Sequence, residues 1–140
     1  MTYMDNEVKF TCILNRKVAP PQAFNAMAHA LIGLAGSQVA SLDLLDYRFA
    51  QDSFHSLISR CPVIILRADN ASQLRTTARA AREAGLAANL FAGSMVGPSA
   101  DAQVSATLAT DLGEADAVAL CLFGQAERLD PLTRKYSLIR

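Results

Sequence analysis

The chain contains no tryptophan, only two histidines and only three cysteines, and its thirteen basic residues are cancelled by thirteen acidic ones. Each scarcity removes a class of function. With His29 and His55 far apart and no clustered carboxylates or thiols beside them, no zinc-like metal centre is expected. Cys12, Cys61 and Cys121 are odd in number, lack CxxC spacing and lie in or beside apolar runs, which reads as reduced core thiols and not a disulfide framework. A formal charge of zero gives no long-range pull toward phosphate backbones or anionic membranes, so nucleic acid is a disfavoured partner. No stretch approaches the roughly 18 apolar residues of a membrane span, and "MTYMDNEVKF" lacks the apolar heart of a secretory leader, so no membrane association and a cytoplasmic location are expected. Neither GxGxxG nor a P-loop occurs, and no cofactor is expected.

What is present is apolar surface: 51% of 140 residues are hydrophobic, enough for one full core and too short a chain for two, so residues 1–140 read as a single domain. The run "EVKFTCIL", Glu7 to Leu14, has strand length and composition, and "NRKVAPP" ends it. Pro21 suits a first helical turn, from which apolar spacing continues to about Ala35, with Gly36 as the expected stop. "LDLLDYRF" and "FHSLIS" flank the turn-like "AQDS", which reads as a hairpin or an irregular excursion. "CPVIILRA", Cys61 to Ala68, is apolar enough for a central strand covered on both faces. Caps at Asp69, Asn70 and Ser72 open a helix over about Ala71 to Ala84, closed by Gly85 and followed by the strand "LAANLF". The loop "GSMVGPSAD", a short helix over Ala102 to Thr110, the apolar strand "AVALCLFG", a helix disturbed near Pro131 and an extended tail complete the chain. Strands interleaved with helices imply an α/β three-layer sandwich, a mixed, mostly parallel sheet of about four strands with helices on both faces.

The order of these parts, together with "AMAHALIGL", "AAREAGLAANLFAG" and "CLFGQAERLDPLTRKYSL", resembles the peptidyl-tRNA hydrolase type II fold, and more closely the bacterial domain of unknown function 2000 family that shares it. The resemblance spans most of the chain, with 38–60 and 98–115 looking like insertions relative to the hydrolases. It implies a hydrolase-like fold. Those hydrolases place a lysine seven residues before the first-helix histidine and a glutamine three before it, an aspartate just before an Ala-Gly pair and a threonine soon after. Counted from His29 and from Ala92–Gly93, the matching positions hold Gln22, Ala26, Phe91 and Met95. The departures fall on the chemistry and argue against a peptidyl-tRNA hydrolase.

At 100° per residue Phe24, Met27, Ala28, Leu31, Leu34 and Ala35 form one face of the first helix, while Gln22, Asn25, His29 and Gly33 form a stripe that continues into Ala26 and Ala30. Small neighbours let a ligand or another backbone come close to such a stripe, although a plain amphipathic helix looks the same. Arg16 and Lys17 precede that helix, where free N–H groups favour an anion. Arg75, Arg79 and Arg82 share a helix face that reads as solvated. In the loop after "LAANLF", Gly93 and Gly97 permit unusual backbone angles and Ser94 offers a hydroxyl. The resemblance implies that this loop faces the first helix, so that Ser94 and Met95 share a cleft with Asn25 and His29.

Three function classes follow. The first is a domain binding a small molecule or protein partner in the cleft between the first helix and the Ala92 to Ser99 loop, with Arg16, Lys17, Gln22, Asn25, His29, Ser94 and Met95 as candidate residues. The second is an enzyme hydrolysing an aminoacyl or peptidyl ester or amide, with His29 as base and Ser94 and Asn25 as polarising groups. The third is a dimerisation module, in which the chain forms a homo-oligomer.

Overall fold

The computed structural model describes residues 6–139; residues 1–5 of the polar amino-terminal stretch, and Arg140, lie outside the described residues. From Phe10 to Asn15 six consecutive residues are buried, the mark of a strand covered on both faces. They belong to β1 (Val8–Asn15), followed by α1 (Pro20–Gln38), β2 (Leu44–Arg48), β3 (His55–Ser59), β4 (Val63–Ala68), α2 (Ala71–Glu83) and β5 (Ala87–Ala92). A 3-10 turn over Gly93–Met95, α3 (Ala100–Leu108), a second turn over Leu112–Glu114, β6 (Ala117–Gln125), α4 (Ala126–Thr133, running through Pro131) and β7 (Ser137–Leu138) complete the order.

Five strands form one sheet in the order β5-β6-β1-β4-β7, and β2–β3 form a separate pair. The expected mostly parallel sheet of about four strands is therefore corrected. Among the described residues only β1 and β4 pair parallel, whereas β1–β6, β5–β6 and β4–β7 are antiparallel. The cause is the return strand β6, which enters between β1 and β5 and opposes both. Nor is β4 fully covered: β7 shields it for only two residues, and Val63 and Arg67 are exposed.

The two-residue period sorts the core. Phe10 and Cys12 of β1 and Cys121 of β6 meet Ala30 and Leu34 of α1. Ile13, Leu120 and Leu122 turn to the other face and meet Leu74 and Ala81 of α2 and Leu129 of α4. Helices thus cover both faces. Cys12 and Cys121 sit directly opposite one another, fully buried and unbridged, while Cys61 is only half-buried. Hydrogen bonding to Cys12 and burial together hold the Cys121 thiol well above its ordinary range.

α1 lies on the sheet rotated from the face that its large residues suggest: Leu34 is buried and Met27, Leu31 and Ala35 pack partly against the core, but Phe24 and Ala28 are exposed. Ala23, Ala26, Ala30 and Leu34 are buried, whereas Phe24 is 41% exposed and Ile32 is 73% exposed. Small side chains let the helix backbone approach β6 closely enough for the Cys121 thiol to reach the Met27 carbonyl at 3.7 Å. The expected stop at Gly36 also fails: the helix continues to Gln38. The stop at Gly85 holds, with φ of +70° after α2. At the other end of α2 the Asn70 side chain caps the Gln73 N–H, and the Gln73 side chain accepts from the Asp69 N–H.

The hairpin stands on its own. Leu45, Tyr47 and Ile58 share one face, which Phe49 and Phe54 extend with a ring contact of 6.0 Å, and Tyr47, Phe49, Phe54 and Ile58 are largely exposed. On the other face Asp46 accepts from Arg48 and contacts the His55 ring nitrogen.

Candidate functional site

β6 opposes both β1 and β5, and β4 parallels β1, so β1, β4 and β5 deliver their carboxyl ends to one rim of the sheet. In open α/β sheets this rim is where ligands bind, because helix starts and loops converge there. Arg16 and Lys17 follow β1, Asp69 follows β4 and Ser94 follows β5. Asn15 organises the first of these turns. Only 4% exposed, it donates from Nδ2 to the Ala117 carbonyl at 3.0 Å and accepts the Lys17 N–H on Oδ1 at 2.9 Å. Its signal in the sequence was an asparagine at a strand end, the side chain that most readily bonds the backbone two residues on.

Burial of the alanine face leaves Gln22, Asn25 and His29 exposed. The stripe they form runs beside β5, the outer strand of the sheet. The His29 and Phe91 rings lie 6.3 Å apart, and a turn further along Asn89 Nδ2 donates to the Ala30 carbonyl at 2.9 Å. Glycine leaves room for this contact, since a Cβ on Gly33 would stand 2.9 Å from the same nitrogen. At the helix end the Gln38 amide donates to Ala88 O at 2.8 Å and accepts from Ala88 N at 3.1 Å, pairing with the open edge as a neighbouring strand would. By the strand period Leu90 presents its N–H and carbonyl on that same edge, where they have no partner among the described residues. Asn89 and Gln38 were not singled out from the sequence, because their role depends on which face of α1 meets the sheet.

The loop after β5 is built differently from the expectation. Thr107 donates its hydroxyl proton to the Gln103 carbonyl at 2.9 Å, so in the 2.8 Å contact between Ser94 and Thr107 it is Ser94 that donates. Ser94 therefore gives its hydroxyl proton to α3, and Phe91 is the β5 residue whose ring lies near His29. Met95 is half-buried. Gly93 donates to the Asp116 carbonyl at 2.8 Å, and a Cβ on it would meet Asp116 Oδ2 at 2.9 Å. Arg16 pairs with Asp69 at 3.2 Å, and both Arg16 and Lys17 are exposed. The arginine face of α2 is not wholly solvated: Arg75 is half-buried and donates to the Ala115 carbonyl at 2.8 Å, and Arg79 lies against Gly113.

A cavity of about 430 Å³ adjoins the β5 edge, bordered by Gln38, Ala88, Leu90, Arg82 and Leu112. Another, of about 650 Å³, lies at the opposite rim, where Lys9 pairs with Asp130 at 2.7 Å. Among the described residues no group of three or more His, Cys, Asp or Glu could hold a metal ion, and no helix is long and apolar enough to cross a membrane.

No curated protein matches the chain. A solved structure, that of the protein of unknown function Atu0240 from Agrobacterium tumefaciens strain C58, superimposes with a TM-score of 0.83 over 96% of this chain and 98% of the other, at 18% identity. At that identity the likeness concerns the fold alone. The family model described as protein of unknown function, DUF2000, matches residues 8–140, and the chain belongs to that family.

Proposed function

We propose that the protein is a binding domain and not a hydrolase, and that its ligand, a small molecule or an extended segment of a partner, lies along β5 between the Gln22–Asn25–His29 stripe and the 92–99 segment. The observation that carries this is the β5 edge itself: Gln38 pairs with both backbone groups of Ala88, and by the strand period Leu90 offers its own on the same edge, next to Phe91, whose ring lies 6.3 Å from that of the exposed His29. Buried or half-buried backbone groups ordinarily find partners, so an open pair flanked by polar side chains suits a ligand that supplies them. Arg16 and Lys17 at the same rim, with Ser94 and Met95 shaping the loop, complete the candidate set. Hydrolysis has less support. Gln22, Phe91 and Met95 carry no acid or base at the positions where the related hydrolases do their chemistry, and Ser94 has committed its proton to Thr107. On this reading the chain is a cytoplasmic bacterial domain with the peptidyl-tRNA hydrolase type II-like arrangement.

The test is a metabolite and short-peptide screen by thermal shift. His29→Ala and Asn25→Ala replace exposed side chains and should change basal stability by no more than about 0.5 kcal/mol. They should abolish the stabilisation conferred by any hit, since a ligand that binds only the native state raises the melting temperature by mass action. An undiminished response in both variants, or a basal loss of about 1 to 3 kcal/mol on removing His29 through an orphaned partner, would remove the stripe from the site.

A further inference from the structure

On the other side of β1 from the β5 groove, a small cavity of about 100 Å³ is bordered by Arg16, Arg67, Asp69 and Lys135, with Gln73 and Tyr136 behind them. Three cations face it against a single carboxylate. That carboxylate, Asp69, pairs with Arg16 at 3.2 Å. Arg67 lies in β4 opposite Ser137 of β7, and its guanidinium has no hydrogen bond or ion pair among the described residues. Lys135 rests its ammonium 5.2 Å from the centre of the Tyr136 ring, which holds it in place without neutralising it. The wall behind is rigid: Tyr136 donates to the Gln73 carbonyl at 2.9 Å and contacts Thr77 at 2.5 Å, and the Gln73 side chain accepts from the Asp69 N–H at 2.7 Å. Two surplus positive charges around so small a space repel one another unless an anion lies between them.

We propose that this basin binds a tetrahedral oxyanion, either inorganic phosphate or the phosphoryl end of a small phosphomonoester. Two guanidinium forks and one ammonium approach from three segments, the turn after β1, β4 and the turn before β7, which suits three oxygens better than the two of a carboxylate. The surplus of two positive charges matches a phosphate dianion. The volume holds one such group and little else, so the remainder of an ester projects through the opening. The site goes beyond the β5 groove and does not depend on it. Only Arg16 is common to both, and the test leaves Arg16 untouched.

Inorganic phosphate is titrated into the full chain by calorimetry and thermal shift, with sodium chloride at matched ionic strength and sodium acetate as controls. Phosphate is expected to bind and to raise the melting temperature above both controls. Arg67→Gln and Lys135→Gln, both at exposed positions, should each weaken phosphate binding about tenfold, the loss of one charge-assisted contact. Asp69→Asn should strengthen it, because the competing carboxylate charge is gone. Circular dichroism and melting without phosphate establish that each variant is folded. Methyl phosphate distinguishes the two sources: binding as tight as phosphate identifies an ester's phosphoryl end, and its exclusion identifies the free ion, and either result supports the site. Stabilisation equalled by chloride or acetate, or phosphate affinity unchanged in both Arg67→Gln and Lys135→Gln, overturns the proposal.

Discussion

Adding one methyl group at each of two glycines in α1 separates the structure from the sequence pattern. Gly36 lies inside the helix, with nothing within 4 Å of a Cβ placed on it. Gly36→Ala should therefore gain the full helix-interior advantage of alanine over glycine, about 1 kcal/mol, or roughly 3 °C in melting temperature for a chain of this size. Gly33→Ala gains the same conformational term. Its methyl, however, arrives 2.9 Å from Asn89 Nδ2, which must withdraw from the Ala30 carbonyl. A lost hydrogen bond in a half-buried position costs about 1 kcal/mol, so the two effects should nearly cancel. In an Asn89→Ala background the clash is absent, and Gly33→Ala should again stabilise by about 1 kcal/mol, a coupling that a double-mutant cycle measured by chemical denaturation reads directly. Destabilisation by Gly36→Ala would mean that the helix ends there in a left-handed turn, as the sequence pattern suggests. Equal stabilisation by Gly33→Ala and Gly36→Ala in the unaltered background would refute the close contact between α1 and β5.

Thiol reactivity and acid sensitivity test two other parts of the molecule. Cys61 is half-buried and should be labelled first in the native protein, while Cys12 and Cys121, fully buried and facing each other across β1 and β6, should react only on unfolding; equal native rates for all three would contradict the strand pairing. Asp46 is held below its ordinary 3.8 chiefly by its hydrogen bond from His55, which outweighs the opposing effect of desolvation, and Arg48 adds a smaller lowering. A carboxylate whose folded value is depressed contributes its stability above the unfolded value and loses it as pH falls through the folded one. NMR signals of Tyr47 and Leu57 should accordingly shift toward those of an opened hairpin below 3.8, while β1 and β6 signals stay put, and Asp46→Asn should remove the transition. A hairpin insensitive to acid in the unaltered chain would show that the Asp46 network does not hold it.

The strands and helices that were legible in the sequence are those whose local chemistry agrees with their packing. β1 and β6 are mostly apolar along their buried stretches because both faces are covered there, and α2 carries its cap at Asn70 and its stop at Gly85 in the sequence itself. The rotation of α1 was not legible, for a physical reason. Nearly every position from Ala23 to Ala35 is apolar or small, so burial area does not choose the face. The choice falls to how closely the backbone can approach the sheet, which alanines permit and Phe24 does not. Gly36 misled for the same kind of reason: glycine ends a helix only where a left-handed conformation is required, and here nothing requires it. The parallel character of the sheet was misread because the interleaving of strands and helices says nothing of where β6 inserts.

The two candidate sites differ in what the sequence could reveal. Gln22, Asn25 and His29 are recognisable because a single helix spaces them, and the fold adds only the strand they face. Arg16, Arg67 and Lys135 are separated by most of the chain, and the sequence offers no pattern that joins them. Their meeting depends on β7, a strand of two residues whose pairing with Leu66 and Arg67 brings the closing segment back to the rim. The short strand has the effect of a clamp: Tyr136 anchors to Gln73 at the start of α2, and Lys135 is then held beside two arginines, one just after β1 and one in β4. Stability alone would favour a neutral residue at one of the three positions, since like charges at such a rim cost free energy in the absence of a counterion. Their convergence around a cavity of one oxyanion's size is the reason for looking for the ligand there.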